Sequence, residues 1–530
     1  SRRRHTRYGT VTGVQTCALP IFLALLQVAR NCERTQLVRV LFAVLCTVLA
    51  MYAKATAVVL PLLASLLCAC LGGARARWWA PLSMLVVTLP IAWHHQSIAA
   101  AIGTMVAQSP VDRLAQVPGV FLHYAATAVL PVHLNVLYPE VQTLERFRAA
   151  LVPGAVALVA ALAFCLASLR SARLRASGFG LVAFVLALLP FNTAYPASAL
   201  AAADRYLYLA VPFAAVALLS LPWVRPVAKW LAPLFTVVLA VLALQRSFAF
   251  ANSEALWQAS LDQEPQNAVA WLNRAQALLF RGSLDVKALP EVTQCYERAA
   301  VAARYPEHER SARLGQMQMA LFAGEYPAAA EFAVQGIDAA ERIGATGRAR
   351  KDAATAVLVQ SLLYAITPMR ACGRHADARQ ALARAEALLP EASSVVAASV
   401  LLAADDLAAV VRKSDPPAPL SSEDPAAKAL RERLDQALAA LDASAAQNPE
   451  LAAALVRDRQ LLHLAGGKLE RLRGNRMQAL RSFRLAIDAV RQQLRADPEA
   501  AESFLGAAEI CLDAGLYPDA EGYANQGVSW

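Results

Sequence analysis

Hydrophobic positions are arranged in two ways along this chain, and the change falls near residue 250. Before it they form long uncharged runs, such as Leu151–Leu169 (LVPGAVALVAALAFCLASL). A helix built from such a run is apolar on every side, so it must face other helices or lipid. Seven stretches of this kind, about 37–53, 55–71, 79–93, 151–169, 178–193, 205–221 and 229–246, predict membrane spans. Most are slightly shorter than the ~20 residues that cross a bilayer core. The loop 94–150 is itself apolar, and its stretch 117–131 (PGVFLHYAATAVLPV) predicts a re-entrant or surface-lying helix. Beyond residue 250 apolar positions recur at helical spacing among charges, as in Gly373–Pro390 (GRHADARQALARAEALLP). The expected fold is all-α: a polytopic transmembrane helix bundle over 22–250, then a solenoid of helix pairs over 251–530.

The solenoid expectation rests on spacing. Ala378, Leu382, Ala385 and Pro390 follow one another at a fixed set of offsets, and Ala479, Phe483 and Ala486 repeat the first three. Gly474 stands where an inter-helix turn belongs. Gly324 and Gly515 each precede an alanine, Ala329 and Ala520, by five residues. Tyr296 and Ala299 mark a looser first repeat after Trp271. Small residues let two helices approach, and one bulky residue fills the gap between neighbouring repeats. The pattern resembles the tetratricopeptide (TPR) repeat, with four or five copies. A Pro-rich and acidic segment, 413–425 (KSDPPAPLSSEDP), interrupts the array and reads as a loop or linker. A solenoid of this kind presents a surface for a protein or peptide; a purely structural spacer is the less favoured reading.

Charge sharpens the division. Residues 1–250 carry 20 Lys/Arg and 5 Asp/Glu, a net of +15, whereas residues 251–530 carry 30 and 35, a net of −5. The basic excess therefore belongs to the loops between apolar helices and to the N-terminus, and it points to no nucleic-acid partner. Arg30, Arg34, Arg39, Arg75, Arg77, Arg170, Arg173, Arg175, Arg225 and Lys229 all fall on one side of the expected bundle. The positive-inside rule makes that side cytoplasmic. Lys54, the loops 94–150 and 194–204 and everything after residue 246 then lie outside. The expectation is an integral protein of the inner (cytoplasmic) membrane with an extracytoplasmic repeat domain.

Residues that could carry chemistry are few. Between residues 22 and 250 the only acids are Glu33, Asp112, Glu140, Glu145 and Asp204. Asp204 and Arg205 open the segment DRYLYL at the outer end of a span, where charges are costly unless solvated or paired. Arg205 there suits a lipid phosphate, and Tyr206 and Tyr208 suit the interface. The plainer reading is an interface anchor with a structural ion pair. Lys54, in MYAKATAVVLP, either snorkels or meets a phosphate. His94, His95, His123 and His133 lack the spacing of a metal site and read as structural. The nine cysteines form no CxxC pair, and no phosphate loop, dinucleotide fingerprint or nucleophile elbow is present. No metal or cofactor is expected.

Residues 1–21 (SRRRHTRYGTVTGVQTCALPI) resemble translated sequencing-adapter sequence and are expected to lie outside the native gene. Three later segments carry a further resemblance: KATAVVLP at 54–61, the Leu-Pro…Tyr-Pro stretch at 130–139, and DRYLYL at 204–209. Together with the repeat tail, they make the chain resemble polytopic membrane-plus-TPR proteins related to the protein O-mannosyltransferases, of the GT-C glycosyltransferase fold. The resemblance implies sugar transfer from a polyprenyl-phosphate sugar to a protein hydroxyl outside the cytoplasm. It also implies a general-base acid in a first outer loop. No acidic pair precedes residue 37, so the chain is expected to lack that acid. Lys54, Tyr138, Asp204, Arg205 and Tyr208 are the donor-site or scaffold residues the resemblance suggests. The rival expectation is a non-enzymatic, membrane-anchored TPR scaffold for envelope complexes.

Overall fold

The structure, a computed structural model, describes residues 5–33, 36–71, 78–102, 110–132, 134–189, 203–279, 288–346, 351–413, 419–421, 423–448, 455–490, 498–514 and 516–528. Every regular element among the described residues is helical. The chain divides into two compact units, 1–274 and 275–530.

The first unit holds α1 (His5–Glu33), α2 (Leu37–Ala53), α3 (Leu60–Leu71), α4 (Trp79–Ile102), α5 (Pro110–Val129), α6 (Glu140–Ala149), α7 (Leu151–Arg170), α8 (Arg175–Leu188), α9 (Val211–Leu219), α10 (Arg225–Ala249) and α11 (Ser253–Gln263). Helix α12 (Ala268–Leu279) straddles the division. Short 3-10 turns cover Ala55–Val59 and Asp204–Tyr208. Each of the seven apolar stretches is helical over most of its described length. The stretch 117–131 falls within α5 and the residues that follow it.

The core of this unit gathers Ile21 and Val28 of α1, Met51 of α2, Leu60 and Leu63 of α3, Tyr124 of α5 and Phe184 of α8. The apolar run 21–29 is thus a central helix, although it was not among the seven expected spans. Helix α7 is different. Val152, Val156, Val159, Leu162, Leu166 and Leu169 all stand exposed, and little of the helix is covered by the rest of the unit. Helix α10 likewise exposes Leu234, Val237, Val241, Leu244 and Phe248. Apolar surface of this extent marks an interface with lipid or protein.

Among the described residues, two helices are long and apolar enough to cross a membrane: α7, and the Ser393–Lys413 helix of the second unit. Part of α10 with α11 makes a third only if the pair, bent by 116°, is taken as one span. The Ser393–Lys413 helix has a packing reason for its apolarity. Its Val395, Ala397, Ala398, Val400, Leu401, Leu402 and Ala404 are buried against neighbouring helices.

The second unit continues with α13 (Leu289–Ala302), α14 (Pro306–Phe322), α15 (Tyr326–Ala345), α16 (Lys351–Ala371), α17 (His375–Leu388), α18 (Ser393–Lys413), α19 (Pro425–Gln447), α20 (Val456–Leu472), α21 (Arg476–Val490), α22 (Pro498–Asp513) and α23 (Tyr517–Val528). Three of its helix pairs share one connection. Gly324, Gly373 and Gly474 sit between α14 and α15, α16 and α17, and α20 and α21, with φ of 73°, 79° and 76°. That left-handed backbone suits glycine and ends a helix sharply. Five residues after each glycine comes a fully buried alanine: Ala329, Ala378 and Ala479. Ala520 is buried in the same register after Gly515, which lies outside the described residues.

The bulky positions of the repeat pattern pack as wedges. Phe483 is 2% exposed and lies against Gly467 of α20 and Gly506 of α22. Leu382, Ala385 and Ala486 are buried with it in the two cores of the unit. Pro390 is exposed, in the turn that follows α17, so it stops a helix and fills no gap. In the interruption 413–425, residues 414–418 and 422 lie outside the described residues. Its Leu420 N–H donates to the Leu472 carbonyl at 2.8 Å, and Asp424 caps α19 by accepting from Ala427 N–H at 3.0 Å.

A line of charges runs from the interior of this unit to its surface. Arg370 of α16 donates to Asp405 of α18 at 2.7 Å and to Glu502 of α22 at 3.2 Å. Lys468 of α20 pairs with both acids. Arg370 is only 8% exposed, so the pairing supplies the partners its guanidinium needs away from water.

Candidate functional site

Of the five residues suggested for a donor site, four are brought onto the 3-10 turn Asp204–Tyr208 of the first unit. The Tyr138 hydroxyl donates to Asp204 Oδ1 at 2.8 Å. The Lys54 ammonium lies over the Tyr208 ring, 5.0 Å from its centroid. Such a contact favours a cation held near an aromatic face. The backbone of Arg205 belongs to the same turn, but its side chain lies outside the described residues. Tyr206 is buried in the core, so it is a packing residue and not an interfacial one.

Each residue is presented by a break in helix. Lys54 is the extended residue that ends α2, its N–H donating to the Ala50 carbonyl at 2.8 Å. Tyr138 stands in the non-helical stretch between α5 and α6. The turn itself is anchored from below: Ala203 N–H donates to the hydroxyl of Tyr124, which is fully buried. His123 packs edge-on against Tyr124 and Tyr138, each at 5.2 Å between ring centroids. His94 and His95 lie together on α4. His133 lies outside the described residues.

Burial dominates the electrostatics of Asp204. It pushes the carboxyl up, against the lowering effects of the Tyr138 hydrogen bond, the Arg246 charge and the Asn135 backbone amide, to about 6. Burial, and then the neighbouring Asp204 charge, push Tyr138 far above its ordinary value, so its hydroxyl remains a donor. Asp204 Oδ2 is buried and has no hydrogen-bond partner among the described residues. At neutral pH the group is therefore a carboxylate with one oxygen held by Tyr138 and one that has no partner among the described residues. Such an oxygen can take a hydrogen bond from a ligand hydroxyl, and near pH 6 it can take its proton.

The stretch that carries Tyr138 is held by residues of α11 and α12. Ser260 Oγ donates to Asn135 Oδ1 at 2.6 Å, and Leu137 N–H donates to the same oxygen at 3.3 Å. Asn135 Nδ2 donates to the Ser260 carbonyl at 3.5 Å. Asn267 Nδ2 donates to the Leu137 carbonyl at 2.7 Å, while its Oδ1 caps α12 by accepting from Ala270 N–H at 3.2 Å. Arg146 of α6 pairs with Glu264 at 2.6 Å. These bonds explain why the first compact unit extends to residue 274, past the composition change near 250. Asn135, Ser260, Asn267 and Arg246 were not among the expected site residues. An N-cap at Asn267 is legible before the apolar run AVAWL, but nothing in sequence ties it to Leu137, 130 residues earlier.

Among the described residues, no group of three or more His, Cys, Asp or Glu is placed to hold a metal ion, and no cysteine with a described side chain is in a disulfide. No protein-family model matches this chain, and no curated protein matches it.

Proposed function

We propose that the first unit is a membrane-embedded, GT-C-like domain that binds a polyprenyl-phosphate-linked sugar at the Asp204–Tyr208 turn. One observation carries the reading. Lys54, Tyr138, Asp204 and Tyr208 come from three separated segments that resemble the O-mannosyltransferase-related proteins, and they meet at one turn. In this reading Lys54, with Arg246 and Arg205 as further cations, attracts the phosphate. The Oδ2 oxygen of Asp204 accepts from a hydroxyl of the sugar. The exposed apolar faces of α7 and α10 meet lipid. The reading implies transfer of that sugar to a protein hydroxyl.

The second unit is proposed to be a TPR domain on the extracytoplasmic side, presenting a surface to a protein or peptide. Its support is the shared glycine turn and the buried alanine five residues on. The arginine distribution supports the side. Alkaline phosphatase fused after residue 260 should be active; a bright green-fluorescent-protein fusion there with inactive phosphatase would reverse the topology.

The donor-site test is binding of polyprenyl phosphate, against the uncharged polyprenol, to the purified chain in detergent. Wild type should prefer the phosphate, and Lys54→Ala should weaken that binding about 10-fold, the scale of one charge-assisted hydrogen bond. Equal binding of phosphate and alcohol, or an unchanged Lys54→Ala, would leave the membrane-anchored TPR scaffold.

A further inference from the structure

The residues that orient Tyr138 toward Asp204 lie mostly outside the apolar part of the chain. The stretch 130–139 has no helix of its own, and an irregular segment between two helices is free to move unless side chains tie it down. Here the tie is specific. The peptide of Leu137 is held at both ends, its N–H by Asn135 Oδ1 and its carbonyl by Asn267 Nδ2. Asn135 is in turn held by Ser260 through both its amide atoms. Asn135, Ser260 and Asn267 are essentially inaccessible to water. Buried groups of this kind must find partners within the protein, so the set holds together as a unit.

We propose that Ser260 and Asn267 are positioning residues of the Asp204 site: α11 and the cap of α12 form a clasp that fixes the Asn135–Tyr138 stretch so that the Tyr138 hydroxyl reaches Asp204. The functional meaning of the clasp rests on the donor-site reading; its geometry does not. The clasp makes a polar helix pair part of the apolar unit's site. It also means that the segment leading into the repeat domain holds a side chain of that site. Loosening the clasp turns Tyr138 away and leaves Asp204 with no hydroxyl donor among the described residues.

Fluorine NMR of the full chain in detergent, with 3-fluorotyrosine introduced at position 138, reads this bond directly. Asp204→Ala sets the resonance of a Tyr138 without its acceptor. Asn267→Asp is the decisive variant. Its carboxylate still caps α12, but it cannot donate to the Leu137 carbonyl. Ser260→Ala removes the shorter hold on Asn135, the hydroxyl on Oδ1, and leaves the longer bond to the Ser260 carbonyl and both helix caps in place, so it carries the test should Asn267→Asp fail to fold. Each variant should move the Tyr138 resonance at least half-way toward the Asp204→Ala position, or split it. Amide exchange across α12 should stay slow in Asn267→Asp. A resonance that stays at the wild-type position in both variants overturns the clasp. Polyprenyl-phosphate binding in wild type separates the two ideas. Moved resonances with no lipid binding retain the clasp and discard the donor site; lipid binding with unmoved resonances does the reverse.

Discussion

The Phe483 wedge offers the sharpest test of the packing in the second unit. The ring is almost fully buried between α20 and α22. A methyl group on Gly467 would lie 2.5–2.9 Å from its atoms, and one on Gly506 would lie 2.7–3.0 Å away. Both distances are too short for carbon, so the ring and the two missing side chains occupy one volume. Phe483→Ala should cost about 3–5 kcal/mol in lost burial and cavity. Gly467→Ala alone gains about 1 kcal/mol of helix propensity but loses about 1–3 kcal/mol to overpacking, a net loss of about 1 kcal/mol. With the ring removed, the same methyl enters the cavity. It keeps the propensity gain and adds about 0.8 kcal/mol of burial. Gly467→Ala should then stabilise the Phe483→Ala protein by about 1–2 kcal/mol, a coupling of about 2–3 kcal/mol. Hydrogen exchange of peptides from 456–513 in the full chain gives the opening free energies of α20 to α22. If Gly467→Ala costs the same with and without the ring, the shared-volume argument is wrong.

Three further outcomes follow from named groups. The Asp204 carboxyl is raised to about 6, so its protonated form is the better fit to the fold. Its contribution is full below about pH 4 and is lost as pH rises toward 6, so Asp204→Asn should raise stability above pH 6 by on the order of 2–3 kcal/mol and flatten thermal unfolding between pH 4 and 6. An unchanged pH profile would refute this. Asp405 is pushed up by burial, but Arg370 and Lys468 outweigh that and hold it below its ordinary value. Its pairing stabilises above that ordinary value and is lost as pH falls below it. Asp405→Ala should cost about 3 kcal/mol at neutral pH, visible as faster exchange in α16, α18 and α20. At Gly373 an added Cβ meets nothing within 4 Å, so Gly373→Ala measures only the left-handed backbone. It should cost about 1–2 kcal/mol by exchange at the α16–α17 turn, and no effect would remove that turn's claim on glycine.

The sequence by itself determined the helical character of the chain, most helix positions and the glycine-to-alanine spacing at three helix-pair turns of the second unit. Those properties are local: a run such as Leu151–Leu169 or an offset such as Gly474 to Ala479 is complete within a few turns of backbone. It also marked Lys54 and Asp204, because charged groups are conspicuous among apolar neighbours; Tyr138 and Tyr208 entered as site candidates through the resemblance of their segments. Only the tertiary structure joined them, since Tyr138 and Asp204 are 66 residues apart and their bond depends on where α5 and the 3-10 turn come to rest. The extension of the first unit to residue 274 was likewise decided in three dimensions. Composition turns polar near 250, but three-dimensional packing joins α11 to the earlier unit, through single hydrogen bonds from Ser260 and Asn267 that leave no periodic trace. Apolar patterning is repeated along a segment and can be read there. A buried polar contact is made once, between distant residues, and exists only after the chain has folded.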